Sequence, residues 1–372
     1  MPNPYDPQTP ARPEYFGGRH KVLSSITERI LSAKAHKKSG AALIYGHRGV
    51  GKTSLLKKII DEAKGTEDKP VNLLYCYRRL GRTTNDEELY NLLNEELLAA
   101  IDTRKSLIDK LLSLGKKIES LNLRYIELKL NPDLSQKSNY QTWKSRLNKL
   151  QDIDYFLIAI DDADFLSVEA IGELKTLVED ASSIPILLVI SGGIQFEGKL
   201  VDAYSPVARI FSGASFNIGK LDQTEIEEVL TKPLVNEKTA WDAESMAEIY
   251  KLTGGYPYLI QCLAKASYAE NITITKDRVR AQINEALDIG KSWLNHEIPN
   301  ASDQDVLSFV KITQLEKNVF QSADMAKAGI QPVYIGRLVK LGIIKKISRG
   351  RYELQKSPII AEFEKLKREL RS

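Results

Sequence analysis

The sequence contains little cysteine and no long apolar run, and these two absences exclude several classes of protein. Only two cysteines occur among 372 residues, Cys76 and Cys262, and each lies in an apolar stretch. This usage excludes a disulfide framework and is typical of small buried thiols in a reducing compartment. No apolar run approaches the roughly 20 residues of a membrane-spanning helix. The first 16 residues hold five prolines and do not resemble a signal peptide, so we expect a cytoplasmic protein without membrane contact.

Excess charge is also scarce, but it is unevenly distributed. The chain carries 53 Lys and Arg against 49 Asp and Glu, a net charge of +4. Residues 301–372 carry 14 basic and 8 acidic residues, so this end holds +6 and the remainder holds −2. A basic end on a nearly neutral body indicates an acidic partner.

One run, GHRGVGKTS, fits the pattern G-x-x-x-x-G-K-[ST] of the phosphate-binding P-loop. In such a loop the backbone N–H groups surround a triphosphate, the lysine reaches the β and γ phosphates, and the hydroxyl residue holds Mg²⁺. Residues 41–45 before it predict a buried strand, and residues 54–63 predict an amphipathic helix whose N-terminus favours anions. The predicted nucleotide-binding residues of the loop are Gly46, His47, Arg48, Gly49, Val50, Gly51, Lys52, Thr53 and Ser54.

The order of apolar and amphipathic segments predicts an α/β fold of the P-loop NTPase type. Short apolar runs at 71–77, 155–160 and 186–190 alternate with helical patterns, which is typical of a parallel sheet covered on both faces. The insertion at 78–154 contains helical runs at 86–101 and 105–120 and an alternating strand or hairpin at 121–130. We interpret this insertion as a solvated lid in preference to a binding site.

After residue 220 the pattern becomes helical only, which predicts a helical lid over residues 221–300. Asp222 with Glu225 resembles a capping box, Asp242 and Thr275 can cap later helices, and Pro257 can open another. About four helices are expected up to residue 289, and we place a linker at 291–302. Residues 1–220 are then the ATPase core, with an N-terminal arm in which five prolines preclude helix.

The final block, 301–372, predicts a winged helix-turn-helix. Helical runs at 303–311, 322–328 and 332–341 precede two short alternating segments that turn at Arg349-Gly350. In the third run Tyr334, Arg337 and Lys340 fall at i, i+3 and i+6, and we expect them on one face that contacts double-stranded DNA. Arg349 and Arg351 flank the predicted wing and would contact phosphates.

A second acidic motif narrows the chemistry. The apolar strand at 155–160 is followed by Asp161, which in P-loop proteins orients Mg²⁺ through water, and by Asp162, which can orient or deprotonate the attacking water. Ser191 ends the next strand and can bond the γ-phosphate or the lytic water, although a cap or turn serine before Gly192 is the alternative. Neither a transporter-ATPase signature nor a guanine-specific motif is present.

The order of these motifs resembles the prokaryotic ATPases between the AAA+ and STAND groups, and more narrowly the archaeal-ATPase clade, which is kin to archaeal origin-recognition initiators. The segments that carry the resemblance are PEYFGGR, GHRGVGKTSLL, IAIDDAD, LLVISGG, SPVARIF, LTGGYP and the terminal winged helix. Together they cover nearly the whole chain. The resemblance implies ATP and Mg²⁺ as ligands.

The resemblance also implies roles for the residues that match its motifs. It implies that Phe16 and Arg19 flank the adenine, that Lys52 and Thr53 hold phosphate and Mg²⁺, and that Pro257 lies at the nucleotide. It also implies that Asp161 and Asp162 form the acidic pair and that Ser191 is a first sensor. Arg209 would sense phosphate or act as an arginine finger. A surface salt bridge is an equal alternative for Arg209, and a plain interhelical turn is the alternative for the segment at Pro257.

Two departures from the family pattern favour a switch over a processive motor. Asp162 stands where most AAA+ motors have glutamate, and residues 257–270 contain no arginine at the usual second sensor. The leading hypothesis is a slow Mg²⁺-dependent ATPase that binds DNA through its winged helix. Two alternatives stay open: a STAND-type signalling or scaffold ATPase whose winged helix contacts protein or a second copy, and a protein that binds nucleotide without hydrolysing it.

Overall fold

The structure of the protein is a computed structural model that divides the chain into two compact units. The described residues are 3–66, 69–71, 73–81, 86, 87, 89–91, 94, 95, 98, 153–181, 184–203, 208–295, 298 and 300–369. The sheet unit comprises His20–Gly46 and Leu55–Asn217. The helical unit comprises Met1–Arg19, His47–Ser54 and Ile218–Ser372.

A five-stranded parallel sheet forms the centre of the sheet unit, in the order β4-β5-β6-β1-β7. The strands of this unit are β1 Gly40–Tyr45, β2 Gly65–Thr66, β3 Lys69–Pro70, β4 Leu73–Arg79, β5 Tyr155–Asp161, β6 Ile186–Gly192 and β7 Ser215–Asn217. Every residue of β5 and β6 is buried, because these central strands are covered on both faces. The predicted α/β fold with a parallel sheet is confirmed.

Helices cover this sheet, and their apolar residues recur at the spacing of one helical face. They are α1 His20–His36, α2 Lys52–Ala63, α3 Val168–Glu179 and α4 Phe196–Ala203. In α2 the buried residues are Leu55, Leu56, Ile59, Ile60 and Ala63, as the amphipathic pattern predicts. The core of the unit is aliphatic and extends through β5 and β6 to Leu174 and Phe211.

The helical unit begins with the N-terminal arm, which is anchored and not merely extended. Tyr5 is fully buried, its hydroxyl donates to the Leu230 carbonyl at 2.5 Å, and Trp241 Nε1 donates to the same hydroxyl at 2.8 Å. The expectation that prolines preclude helix is wrong at one point. Pro13–Tyr15 form a single 3₁₀ turn, in which proline takes the first position because its missing N–H is not needed there.

Five α-helices and a short parallel strand pair lie between residues 218 and 295, a stretch that the structure describes in full. They are α5 Gln223–Thr231, α6 Ala243–Thr253, α7 Pro257–Ser267, α8 Lys276–Ala281, α9 Ile283–Asn295, β8 Ala240–Trp241 and β9 Thr273–Ile274. The predicted capping box of Asp222 and Glu225 is confirmed, as are the caps at Asp242 and Thr275. The predicted linker begins too early, because α9 continues to Asn295.

The C-terminal region, residues 301–369, combines four helices with a small antiparallel sheet. Its elements are α10 Asp303–Thr313, β10 Val319–Gln321, α11 Ser322–Lys327, α12 Pro332–Lys340, β11 Ile344–Ser348, β12 Arg351–Leu354 and α13 Ile359–Glu369. The strand order is β10-β12-β11, and the chain turns between β11 and β12 at Gly350, whose φ is +69°. The helix α13 was not predicted.

Some predictions fall outside the described residues. The helical run at 105–120 and the alternating segment at 121–130 belong to this group, as do residues 205–207 of SPVARIF. The boundary between the units lies after Asn217, close to the predicted limit at 220. The predicted lid and terminal domain fall together in the helical unit, so the three-domain division stays a prediction.

Candidate functional site

The P-loop turns at two glycines whose backbone lies in the left-handed region. Gly49 and Gly51 have φ values of +84° and +90°, a region that residues with a Cβ rarely enter. The loop follows β1 in the chain, and α2 begins at Lys52. Successive N–H groups in such turns, completed by a helix N-terminus, form an anion-binding concavity.

The loop is fixed through its carbonyl face, which we define as the C=O groups of residues 47–50. Each of these four groups accepts a hydrogen bond, and each donor comes from a different segment of the helical unit. The bonds are Lys52 Nζ to His47 O at 3.1 Å, Ser357 Oγ to Arg48 O at 3.1 Å, Tyr258 N to Gly49 O at 3.3 Å, and Arg19 Nη2 to Val50 O at 3.2 Å. The loop itself, the C-terminal region, the lid and the arm therefore all hold it.

Arg19 fastens the arm to the loop and to the start of the lid. Its guanidinium also donates to Lys220 O at 3.1 Å and to Gly219 O, and its backbone N–H donates to Glu225 Oε1 at 2.5 Å. Burial lowers the pKa of Arg19, and the charge of Glu225 opposes that shift. Phe16 is buried nearby in the arm, and its carbonyl accepts a bond from Lys232 Nζ. Their predicted contact with adenine stays a prediction.

The segment at Pro257 reaches the P-loop through backbone. Pro257 is the first residue of α7, and the next N–H, that of Tyr258, is one of the helix-terminal donors without an intrahelical partner. This N–H donates to Gly49 O. The first turn of α7 thus contacts the loop directly, and the predicted contact of Pro257 with the nucleotide stays a prediction.

His47 gives a second contact between the loop and the C-terminal region. Its Nε2 lies 3.4 Å from Asn318 Oδ1. Desolvation lowers the pKa of His47 to about 4, and the positive charge of Lys52 adds to the effect. The ring is therefore neutral at neutral pH.

The acidic centre, defined as Asp161, Asp162, Ser191 and Arg79, lies at the carboxyl ends of β4, β5 and β6. Asp161 is fully buried, and its Oδ1 accepts hydrogen bonds from the Ser191 hydroxyl and from the Asp162 N–H at 3.1 Å. Its Oδ2 lies 3.4 Å from the Tyr77 hydroxyl, whose pKa is raised to about 12 by desolvation and by the charge of Asp161. The Asp161 carboxylate is thus held in one orientation.

Asp162 is engaged by a residue that the sequence analysis did not identify. Arg79, the last residue of β4, donates from Nε to Asp162 Oδ2 at 2.7 Å. The hydrogen bond raises the pKa of Arg79. Asp162 has a φ of +56°, which turns the chain sharply after β5. Arg79 occupies one acceptor position of this carboxylate, at Oδ2.

Ser191 and Arg209 are placed differently from one another. Ser191 is fully buried and donates to Asp161, so it orients the carboxylate, and a phosphate would compete with Asp161 for its proton. Arg209 is exposed at a cavity of about 350 Å³ that Glu197 and Phe211 also line. Within the described part of the chain Arg209 makes no ion pair, so the alternative of a surface salt bridge finds no support there.

The residues predicted to contact DNA do not form one uniform face. Arg337 is held by Asp305 of α10 through two hydrogen bonds, Nε to Oδ1 at 2.7 Å and Nη2 to Oδ2 at 2.6 Å. Tyr334 is half-buried, whereas Lys340, Arg349 and Arg351 are exposed. The predicted DNA contacts of Lys340, Arg349 and Arg351 therefore rest on exposed side chains. The predicted contact of Arg337 rests on a guanidinium that already has a carboxylate partner.

Three contact residues of the site were missed, for different reasons. Arg79 had a local sign, because it ends an apolar run that neighbours β5. Ser357 and Asn318 had none, since their contacts with the P-loop span 309 and 271 positions of the sequence. Helix periodicity and motif spacing carry no information on such pairs.

Two kinds of feature are absent from the part of the chain that the structure describes. No group of three or more His, Cys, Asp or Glu side chains there could hold a metal ion. Likewise, no helix among these residues is long and apolar enough to cross a membrane. A magnesium ion in a P-loop protein needs no such cage, because phosphates and water supply most of its ligands.

Comparison with solved structures identifies the fold. The Aeropyrum pernix ORC2 protein, solved as ADPNP–ADP complexes, is 13% identical over 95% of each chain with a TM-score of 0.54. Its ADP form gives a TM-score of 0.55 at 13% identity over 95% of this chain and 93% of that chain. The Aeropyrum pernix ORC1 protein in complex with DNA gives 0.50 at 14% identity, over 95% of this chain and 93% of that chain. At such identities the similarity concerns the fold alone.

Sequence comparison identifies the nucleotide-binding part. No protein of curated function shows significant similarity to the chain. The family model of the AAA ATPase domain matches residues 15–190, a segment that includes the P-loop, the acidic pair and β6 up to Ile190. Residues 15–190 are therefore similar to AAA ATPase domains, and the fold of the chain is similar to that of the archaeal ORC2 protein.

Proposed function

We propose that the protein is a slow Mg²⁺-dependent ATPase that acts as a nucleotide-dependent switch and binds duplex DNA through a winged helix formed by residues 301–369. The observation that carries the proposal is the carbonyl face of the P-loop. Four consecutive carbonyl groups of the loop are bound by the loop lysine, the C-terminal region, the lid and the arm. A loop that shifts when a triphosphate binds would change all four contacts together.

The chemistry of the switch would be divided among few residues. Lys52 would bind the β and γ phosphates, while Thr53 and Asp161 would hold Mg²⁺, Asp161 through water. A Mg²⁺ ion supplies charge neutralisation at the phosphates. The Asp161 carboxylate fits this role, since Ser191 and the Asp162 N–H fix its orientation while carboxylate oxygen is a ligand that Mg²⁺ prefers.

Asp162 would orient and deprotonate the attacking water. Its ion pair with Arg79 is 2.7 Å long, with side chains 60% and 31% exposed for Arg79 and Asp162. An exposed ion pair of this kind exchanges partners at little cost. The positive charge of Arg79, which makes the carboxylate a weaker base, and the short side chain of Asp162 both support slow turnover.

DNA binding would use the hairpin of β11 and β12 more than α12. Lys345, Lys346, Arg349 and Arg351 are exposed along this hairpin, and Lys340 is exposed at the end of α12. Arg337 would add little, because Asp305 neutralises it. Exposed cations on this hairpin suit phosphate contacts, which do not distinguish one sequence from another.

A protein partner is the second candidate for the C-terminal region, and one observation favours it. Val333, Val339 and Ile347 are 61%, 36% and 43% exposed on α12 and β11. Exposed aliphatic side chains at a binding surface are more typical of protein contacts than of phosphate contacts. In this version the nucleotide state would be communicated to a protein in a STAND-type scaffold.

Hydrolysis is tested with the parent protein and Asp162→Asn, each with Mg²⁺ and with EDTA. Because the substitution removes a general base, kcat should fall by roughly 10² or more while ATP still binds. Asp288→Asn, an exposed carboxylate of α9, is the matched control and should turn over at the parental rate. Equal rates for the parent and Asp162→Asn would remove Asp162 from the reaction, and absence of turnover in the parent would leave a nucleotide-binding protein.

DNA binding is tested by fluorescence anisotropy on duplex DNA at several salt concentrations. Replacing Arg349 and Arg351 together with alanine should reduce the slope of log K against log salt by about 1.8 units, since each lost phosphate contact removes about 0.9. The control replaces two exposed lysines of the lid, Lys238 and Lys251, and removes the same charge. Identical slopes for all proteins, or no binding at low salt, would favour the protein partner.

A further inference from the structure

The loops that follow β5 and β6 are joined by a second link besides the acidic centre. Asp164, in the 3₁₀ turn Ala163–Phe165, accepts a hydrogen bond at Oδ2 from the Gly193 N–H at 2.7 Å. Lys199 of α4 reinforces this turn, because its Nζ donates to Asp164 O at 3.2 Å and to Leu166 O at 2.9 Å. The chain after Ser191 is therefore held against the chain after Asp162.

The two glycines after Ser191 allow this close approach. A Cβ on Gly193 would lie 2.9 Å from Asp164 Oδ1, and a Cβ on Gly192 would lie 2.6 Å from Phe196 Cγ. Real Cβ contacts are not this short, so any side chain at Gly193 would displace Asp164. The glycine pair thus has a packing reason, which a turn alone would not require.

Two hydrogen-bonded links connect the ends of β5 and β6. The first joins the Ser191 hydroxyl to Asp161, and the second joins the Gly193 N–H to Asp164. Since Gly193 directly follows β6 and is only two residues beyond Ser191, loss of the second link would loosen the end of this strand and let the Ser191 hydroxyl shift from Asp161. Small displacements of this kind cost much in catalysis, whereas they alter substrate binding elsewhere very little.

We propose that Asp164 is a positioning residue of the hydrolysis reaction: it holds the Gly193 N–H and thereby fixes the Ser191 hydroxyl on Asp161. The inference rests on the ATPase activity proposed above. Asp164 is exposed, and its carboxylate is the nearest alternative to Asp162 as a general base by position in the sequence. The two roles make different demands on the side chain. A general base must take up a proton, whereas a positioning residue needs only to accept a hydrogen bond.

Asparagine and alanine at position 164 separate these roles. Asp164→Asn keeps an amide oxygen that can accept from Gly193, so kcat should stay within about threefold of the parent. Asp164→Ala removes the acceptor, and kcat should fall at least roughly tenfold while the KM for ATP changes less than about twofold. The same Asp-to-Asn change at Asp162 abolishes the proposed base, which makes the contrast internal to the protein.

Gly193→Ala perturbs the same hydrogen bond from its donor side and leaves the Asp164 side chain chemically unchanged. Its Cβ should displace Asp164 and lower kcat by a factor similar to that of Asp164→Ala. Gly198→Ala is the matched control, because a Cβ there has no heavy atom within 4 Å and the residue lies in α4. This control should keep the parental kcat and KM.

Amide hydrogen exchange at Gly193, measured without nucleotide, tests the link independently of activity. Exchange should accelerate at least about threefold in Asp164→Ala and stay near the parental rate in Asp164→Asn, as expected for the loss of one hydrogen bond. If the parent hydrolyses no ATP, the proposed function fails while these exchange rates still report on the link. An equal loss of kcat in both variants at 164, or no loss in either, would overturn the positioning role.

Discussion

Replacing Arg337 with alanine removes both donors that reach Asp305 from α12. The two hydrogen bonds are 2.7 and 2.6 Å long, the Asp305 side chain is 0% exposed, and the Arg337 side chain is 48% exposed. The substitution therefore leaves a buried carboxylate with fewer partners, and does not simply delete a surface charge. Arg337 should behave as a stabilising residue of the C-terminal region more than as a DNA contact.

The size of the effect follows from what remains around Asp305. Hydrogen bonds to charged groups contribute about 1.5 to 3 kcal/mol each. The half-exposed guanidinium calls for a reduction, because water competes for it. Ser302 still donates its N–H at 2.9 Å and its hydroxyl at 2.6 Å to Asp305. We therefore expect Arg337→Ala to lower the free energy of opening of α12 by about 2 kcal/mol, as a total for both bonds.

Hydrogen exchange of the α12 amides measures this local quantity without assuming two-state unfolding of a chain with two units. A loss of about 2 kcal/mol corresponds to exchange that is roughly 30-fold faster. Arg351→Ala, another exposed arginine of the same region, is the control and should change the opening free energy by less than about 0.5 kcal/mol. A double-mutant cycle with Asp305→Ala should give a coupling energy of similar size. Parental exchange rates in Arg337→Ala would refute the argument.

Three further outcomes are expected. The stability difference between the parent and Arg337→Ala should be constant from pH 8 to about 5 and should shrink below about pH 4. The reason is that the bonds from Arg337 lower the pKa of Asp305, and the stability that a lowered carboxyl pKa provides is lost on acidification. A difference that grows in acid would contradict this. Lys52→Ala should weaken ATP binding in calorimetry roughly tenfold or more, by about 1.5 to 3 kcal/mol, and unchanged affinity would remove Lys52 as a phosphate ligand. Tyr5→Phe should lower the free energy of unfolding by about 2 kcal/mol in urea titrations. The substitution deprives the buried Trp241 N–H and the Leu230 carbonyl of the hydroxyl to which they are hydrogen-bonded. An unchanged midpoint would mean that the arm does not stabilise the lid.

Local patterns predicted the parts of the molecule whose physics is local. The P-loop glycines, the apolar run that ends at Asp161 and the capping box at Asp222 each depend on residues within a few positions. Their outcomes agree with the structure, since backbone conformation and helix capping are decided at short range. The parallel sheet was predictable for the same reason, from the spacing of apolar runs.

Partner choice among charged and polar side chains was not predictable. The spacing of Arg337 suggested a free face, but Asp305 lies 32 positions earlier on another helix. Arg79 lies just beyond a predicted strand, but its pairing with Asp162 depends on β4 being the neighbour of β5 in the sheet. Tyr5 lies in a proline-rich arm that the sequence describes as extended, although its ring is fully buried. Such pairs depend on how elements pack, and a single sequence holds no record of that.

The carbonyl face of the P-loop also has a thermodynamic consequence. Ser357 and Asn318 of the C-terminal region contact residues 48 and 47, so the proposed switch would couple the free energies of binding at the two places through these contacts. Linkage is reciprocal: if a bound nucleotide changes the affinity of the C-terminal region for a ligand by some factor, that ligand changes the affinity for nucleotide by the same factor. In the proposed switch, a ligand of the C-terminal region would thereby change the affinity for ADP or ATP even without cleavage of a phosphate bond.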